Sequence, residues 1–163
     1  MKLLYGKNII IYINKNIIKN IDLNDKEKIE RLIKKINQKY NIELCGYYNA
    51  LIYVDNTYGL IIEIIKEELE YMDYFNNDLE INIEIIEDSF LYKIEDIYSA
   101  QKLLDKTIIR KYKDNLYLET KNVENIELGI IIENSKITYG KEAKEVKIKG
   151  KIIKSEVIVW KNQ

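Results

Sequence analysis

The chain has 163 residues, 47% of them hydrophobic, with 26 Lys and Arg against 27 Asp and Glu, a single Cys and neither His nor Pro. That length supports one domain with a substantial core or two small lobes, and such hydrophobicity at a net charge of −1 excludes a disordered chain. The lone Cys45 excludes an intrachain disulfide, and the absence of His excludes Ser-His-Asp and Cys-His catalysis and imidazole metal ligation.

Ile9-Ile10-Ile11-Tyr12-Ile13 is β-branched and aromatic, and Gly6-Lys7-Asn8 before it permits a tight turn, so the chain opens on a predicted hairpin. A further short strand is expected from Asn16 to Lys19. Over residues 25–40, Ile29, Leu32, Ile33, Ile36 and Tyr40 recur at three- and four-residue spacing and predict an amphipathic helix. Asn24 is read as its N-cap with Glu27 completing a capping box, and Lys34, Lys35 and Lys39 complement the helix dipole at the other end.

Tyr47 to Val54 and Leu60 to Ile65 flank the polar segment Asp55-Asn56-Thr57-Tyr58-Gly59 and predict a second hairpin. Residues 67–78 break the strand pattern with acids and aromatics and read as a helical turn or loop. Leu79, Ile81, Ile83 and Ile85 then alternate with Glu80, Asn82 and Glu84, which predicts a strand with one buried face and one wet, negative face. Phe90 to Ile94 is a further strand, followed by a short second helix at about 96–104.

Behind it, Thr107 to Tyr112 and Leu116 to Thr120 form a predicted hairpin. Ile130 to Ile132 and Ile137 to Tyr139 are expected to form another across Glu133 to Lys136. Val146, Ile148 and Ile152 alternate with Lys147, Lys149 and Lys151 in a strand interrupted by Gly150, and Val157 to Trp160 closes the chain. The expected fold class is α+β: a mostly antiparallel sheet, one well-defined helix at 25–40, a short one at 96–104, and a β-rich C-terminal half. Residues 1–96 are read as an α+β lobe and 97–163 as a β-rich lobe of one unit, because no Pro- or Gly-rich linker separates them.

The near-zero net charge conceals a strong asymmetry. Residues 1–54 hold ten Lys and Arg against five acids, residues 55–97 hold two against thirteen, and residues 98–163 hold fourteen against nine, giving local charges of +5, −11 and +5. A local excess of one sign steers oppositely charged surfaces. One reading of the acidic segment is a docking face. Glu67, Glu68, Glu70, Asp73, Asp78, Glu80 and Glu84 supply spaced carboxylates there, with Tyr71, Tyr74 and Phe75 as contact anchors. In the other reading, Glu80 and Glu84 form cross-strand ion pairs with Lys147 and Lys149 and the aromatics lie in the core.

Other chemistries have thinner support. Cys45, in Leu44-Cys45-Gly46 beside a predicted strand, reads as a structural or incidental thiol because no base accompanies it. The six glycines are too dispersed for a phosphate-cradling loop. A metal-dependent carboxylate enzyme is conceivable from Asp105 or Asp114 with Glu119-Thr120-Lys121, but acid-x-base triplets recur by chance in this composition, as in Glu142-Ala143-Lys144 and Glu145-Val146-Lys147. Residues 141–161 carry seven Lys against three Glu, near Tyr139 and Trp160, a pattern compatible with a strand surface for single-stranded nucleic acid. A pI near 5.7 and the lack of a Gly-aromatic run oppose that.

The expected function is therefore a non-enzymatic protein-binding module, an adaptor, assembly subunit or inhibitor, whose partner presents a basic surface. No cofactor and no metal site are expected. The N-terminus lacks the apolar stretch of a signal peptide and no run spans a bilayer, so a cytoplasmic location is expected. The abundance of Ile, Lys, Asn and Tyr is similar to that of short proteins from AT-rich bacteria or their phages, and part of it is mutational background.

Overall fold

The computed structural model describes residues 1–18, 22–67, 78–95 and 106–153. The fold is α+β, and the chain divides into two units: residues 1–54 with 59–87, and residues 55–58 with 88–163. The predicted helix at 96–104 and the closing strand at 157–160 lie outside the described residues.

Among its described residues the first unit is a five-stranded sheet with one helix. Strands β1 (Lys2–Tyr5) and β2 (Ile9–Asn14) form the opening hairpin; α1 (Lys26–Lys39) follows, then β3 (Tyr47–Asp55), β4 (Gly59–Lys66) and β5 (Glu80–Glu87). The strand order is β1-β2-β4-β3-β5. β2 runs antiparallel to both β1 and β4, whereas β3 and β5 are parallel, in the register Tyr47↔Glu80 to Val54↔Glu87. The extra strand expected at Asn16 to Lys19 is instead a turn through Ile17, closed by Ile17 N–H on the Asn14 carbonyl. Lys19 lies outside the described residues.

The core follows from the two periodicities. Ile29, Ile33 and Ile36 of α1 pack with Ile9, Ile11 and Ile13 of β2, Tyr48, Ala50 and Ile52 of β3, Leu60, Ile62 and Ile64 of β4, and Ile83 of β5. Every second strand residue thus joins the helix stripe, and each fully buried Ile contributes about 1.5–3 kcal/mol. The helix N-cap is Asp25 rather than Asn24: its carboxylate accepts Lys28 N–H at 3.2 Å. Asn24 N–H instead donates to Asp22, and Lys28 at the third helical position leaves no capping box with Glu27.

The other end of α1 closes as a Schellman motif. Asn41 sits at φ 55°, its N–H donating to the Gln38 carbonyl at 3.0 Å, while Ile42 N–H donates to the Asn37 carbonyl at 2.8 Å. Tyr40, assigned to the apolar stripe by spacing, is the exposed C-cap, and Asn37 takes the buried position. Asn tolerates the left-handed conformation and a β-branched residue does not. Asn41→Val is accordingly expected to cost about 1–2 kcal/mol in thermal unfolding, and Asn41→Gly to be neutral or slightly stabilising.

The second unit holds β6 (Leu91–Ile94), β7 (Thr107–Tyr112), β8 (Asn115–Thr120), α2 (Asn125–Glu133), β9 (Ser135–Thr138), α3 (Gly140–Lys149) and β10 (Lys151–Ile153). Its sheet is antiparallel throughout, in the order β10-β7-β8-β6-β9. Two segments expected as strands are helices. Ile130 to Ile132 belong to α2, where Leu128 and Ile131 are buried at helical spacing and the Glu127 carboxylate accepts the Glu124 N–H at 2.8 Å. Val146 to Lys149 belong to α3, where buried Ala143 and Val146 lie three residues apart and Ile148 is 82% exposed.

The run Lys141-Glu142-Ala143-Lys144-Glu145 is built from strong helix formers, and that outweighs a four-residue alternation. Gly140 opens α3 at φ 63°, and its N–H donates to the Asp88 carboxylate at 2.7 Å, which places a negative charge at the helix N-terminus. α3 packs Ala143 and Val146 against Leu91 and Tyr117, with Tyr112 at the margin.

Candidate functional site

Strands alternate their side chains, so the β3–β5 register decides which carboxylates share a surface. Tyr48, Ala50 and Ile52 face α1; Tyr47, Asn49, Leu51 and Tyr53 therefore point the opposite way, and the register sets Glu80, Asn82, Glu84 and Ile86 beside them. Glu80, Asn82 and Glu84 are exposed. Among the described residues β5 is an edge strand, paired only with β3. Charged side chains along such an edge oppose indiscriminate strand pairing and also present a regular row of anions.

A polar ladder crosses this face. Asn82 Nδ2 donates to Asn49 Oδ1 at 3.1 Å, and Asn49 Nδ2 donates to Glu67 Oε1 at 2.5 Å. The ladder orients one carboxylate from the end of β4 toward the row on β5, because an amide both donates and accepts. It was missed in the sequence reading; its trace there is the polar residue at an outward position in each of two predicted strands. Glu67, Asp78, Glu80 and Glu84 are all exposed. Among the described residues Glu80 and Glu84 make no ion pair. Glu68, Glu70, Tyr71, Asp73, Tyr74 and Phe75 lie outside the described residues.

The ion-paired alternative for Glu80 and Glu84 is overturned by the placement of its lysines. Lys147 and Lys149 stand on α3, not on a strand, and both are spent within the second unit. Lys147 Nζ donates to the Ser89 carbonyl, and Lys149 Nζ binds Glu145 at 2.8 Å. Glu145 also accepts from the Tyr112 hydroxyl at 2.7 Å, and Lys149 with Tyr112 holds its carboxyl down to about 2. The same helix receives the Tyr117 hydroxyl on Glu142 at 3.4 Å. These tyrosine–carboxylate bonds tie α3 to its sheet.

The strand expected at 146–152 within the basic stretch 141–161 is instead helix as far as Lys149, with Lys151 to Ile153 forming a strand, and residues 154–161 of that stretch lie outside the described residues. Glu119, the centre of the conceivable metal site, is half-buried and receives Arg110 Nε at 2.9 Å, and Arg110 Nη1 also donates to the Lys147 carbonyl at 3.3 Å. Asp114 sits in the exposed β7–β8 turn, and Asp105 lies outside the described residues. Among the described residues no three His, Cys, Asp or Glu side chains gather as metal ligands. Nor is any helix there long and apolar enough to cross a membrane.

No protein-family model, curated protein or solved structure matches the chain.

Proposed function

We propose that the chain acts by binding rather than catalysis, as an adaptor, assembly subunit or inhibitor that docks a basic protein surface on the outward face of β3 and β5. The observation that supports this reading is the pair Glu80 and Glu84: exposed, four residues apart on an edge strand, and without an ion pair among the described residues. Four residues of strand separate them by about 13 Å, so the row matches a partner with cations at comparable intervals. Glu67 and Asp78 extend the charge, and Tyr47 and Tyr53 border it with aromatic area. Glu68, Glu70, Tyr71, Asp73, Tyr74 and Phe75 continue the same acidic stretch of sequence.

An oligolysine peptide and an oligodeoxythymidine, each labelled for fluorescence anisotropy, test the reading. The peptide is expected to bind at low salt and to weaken as salt rises, since exposed charges are screened within about 10 Å at 0.1 M. The triple variant Glu67→Gln, Glu80→Gln, Glu84→Gln should weaken it about tenfold. A control losing three exposed acids elsewhere, Glu95→Gln, Asp114→Asn, Glu133→Gln, should leave it nearly unchanged. Equal losses in both variants, or binding of the oligonucleotide in place of the peptide, would refute the assignment.

A further inference from the structure

The last turn of α1 and the segment behind it enclose a groove of about 530 Å³ in the first unit, lined by Lys34, Asn37, Asn41, Ile42, Glu43 and Leu44 together with Gln38, Cys45 and Leu79. That volume lies within the range of small-molecule sites, roughly 300–1,000 Å³. The Schellman closure builds one wall by turning residues 41–45 back along the helix.

The polar groups of this groove are unevenly spent. Asn37 is 1% exposed; its Nδ2 donates to the Ile33 carbonyl at 2.8 Å, and its Oδ1 is buried without a partner among the described residues. Buried polar atoms are nearly always paired, so an orphaned acceptor in a groove wall points to a donor that comes from outside the chain. Lys34, the one cation among the described residues of the wall, is committed to Glu30 at 2.6 Å. The Glu43 carboxylate is exposed and in no ion pair among the described residues. What remains open is therefore a set of acceptors, Asn37 Oδ1 and Glu43, beside the aliphatic side chains of Ile42, Leu44 and Leu79.

From this set of unpaired acceptors and aliphatic walls we infer that the groove binds a small primary amine with a short apolar body. Its N–H donors satisfy the Asn37 carbonyl, its charge is met by Glu43, and its carbon chain covers Ile42, Leu44 and Leu79. A carboxylate of the same length is rejected, because it brings no donor and repels Glu43. The groove adjoins the carboxylate row, since Leu79 precedes Glu80 and Glu80 N–H donates to the Gly46 carbonyl beside Cys45, but none of Glu67, Glu80 and Glu84 lines it.

Hexylamine, hexanol and hexanoate titrated into the ¹⁵N-labelled full chain at neutral pH provide the test. Hexylamine is expected to shift the Asn37 side-chain amide and the backbone amides of residues 41–45 and 79 saturably at millimolar concentration, hexanol about tenfold more weakly, and hexanoate not at all. Cys45, the only thiol, is exposed and lines the groove, so the amine should slow its reaction with a disulfide reagent with the same midpoint. Glu43→Gln, a change at an exposed position, should weaken hexylamine about tenfold, and Asn37→Leu should abolish the saturable shifts. If Asn37→Leu does not fold, Glu43→Gln and the thiol kinetics decide. Equal binding of hexanoate, no saturation with hexylamine, or an unchanged midpoint in Glu43→Gln would overturn the inference.

Discussion

Gly59→Ala is expected to destabilise the first unit by at least about 3 kcal/mol, among the largest effects of any single methyl group added to this chain. Gly59 opens β4 opposite Asn14 of β2 and has φ 131°, a conformation that L side chains rarely adopt. A Cβ there would also run into the Ile13 carbonyl oxygen, the Asn14 carbonyl carbon and the Lys15 amide nitrogen. All three are main-chain atoms, two at the end of β2 and one in the residue that follows it, so no rotamer change relieves the clash. Relief requires the β2–β4 ladder to open at that end, and the ladder carries Ile9, Ile11, Ile13, Leu60, Ile62 and Ile64 into the core.

Gly129→Ala provides the contrast. Gly129 lies inside α2 with nothing within 4 Å of an added Cβ, so the substitution should stabilise by up to about 1 kcal/mol through helix propensity alone. Urea unfolding monitored by circular dichroism measures both, and amide exchange assigns the Gly59→Ala loss to β2 and β4. A Gly59→Ala midpoint close to that of the parent chain would mean that the strand pairing at this point is not as described.

Asp55→Asn is expected to cost about 3 kcal/mol, through the hydrogen bonds of one carboxylate. Asp55 is 8% exposed. Its Oδ1 accepts Thr57 N–H at 2.8 Å and Tyr58 N–H at 2.6 Å, and its Oδ2 accepts Phe90 N–H at 2.8 Å. The first two bonds form an Asx-type turn; the third joins that turn to the residue preceding β6, thirty-five positions along the chain. An amide in the same place turns one acceptor into a donor facing an N–H, leaving a buried main-chain group unpaired.

Tyr92 supplies the control from the same pocket. It is 1% exposed, and its hydroxyl lacks a hydrogen-bond partner among the described residues. Burial first, and then the Asp55 charge, push that hydroxyl far above its ordinary range, so it remains protonated. Removing an unpaired buried hydroxyl relieves a desolvation cost, and Tyr92→Phe should be neutral or stabilising by up to about 1 kcal/mol. Chemical denaturation of the two variants separates the cases. A large loss in Tyr92→Phe with none in Asp55→Asn would assign the structural role to the hydroxyl instead.

The acidic middle of the chain was legible as charge, but not as a surface. Glu80 and Glu84 alternate with Ile81, Ile83 and Ile85, so the side of β5 they occupy followed from the period-two pattern alone. The absence of an ion pair to them among the described residues did not, because Lys147 and Lys149 lie more than sixty residues away and their position depended on whether that segment became strand or helix. The ladder from Asn82 through Asn49 to Glu67 depended on a parallel register that no local signal encodes.

Hydrophobic periodicity by itself determined α1 and the wet face of β5, since each repeats over several turns or alternations that one backbone geometry satisfies, and β-branched runs with turn residues between them determined the β1–β2, β3–β4 and β7–β8 hairpins. Tertiary structure alone decided the parallel pairing of β3 with β5 and the burial of Asn37, and it acted together with the local propensity of Lys141 to Glu145 in making Val146 to Lys149 helical. Runs of three or four residues fit either geometry, and for α3 the choice is completed by partners distant in sequence: Leu91 and Tyr117 beneath the helix and Asp88 at its N-terminus.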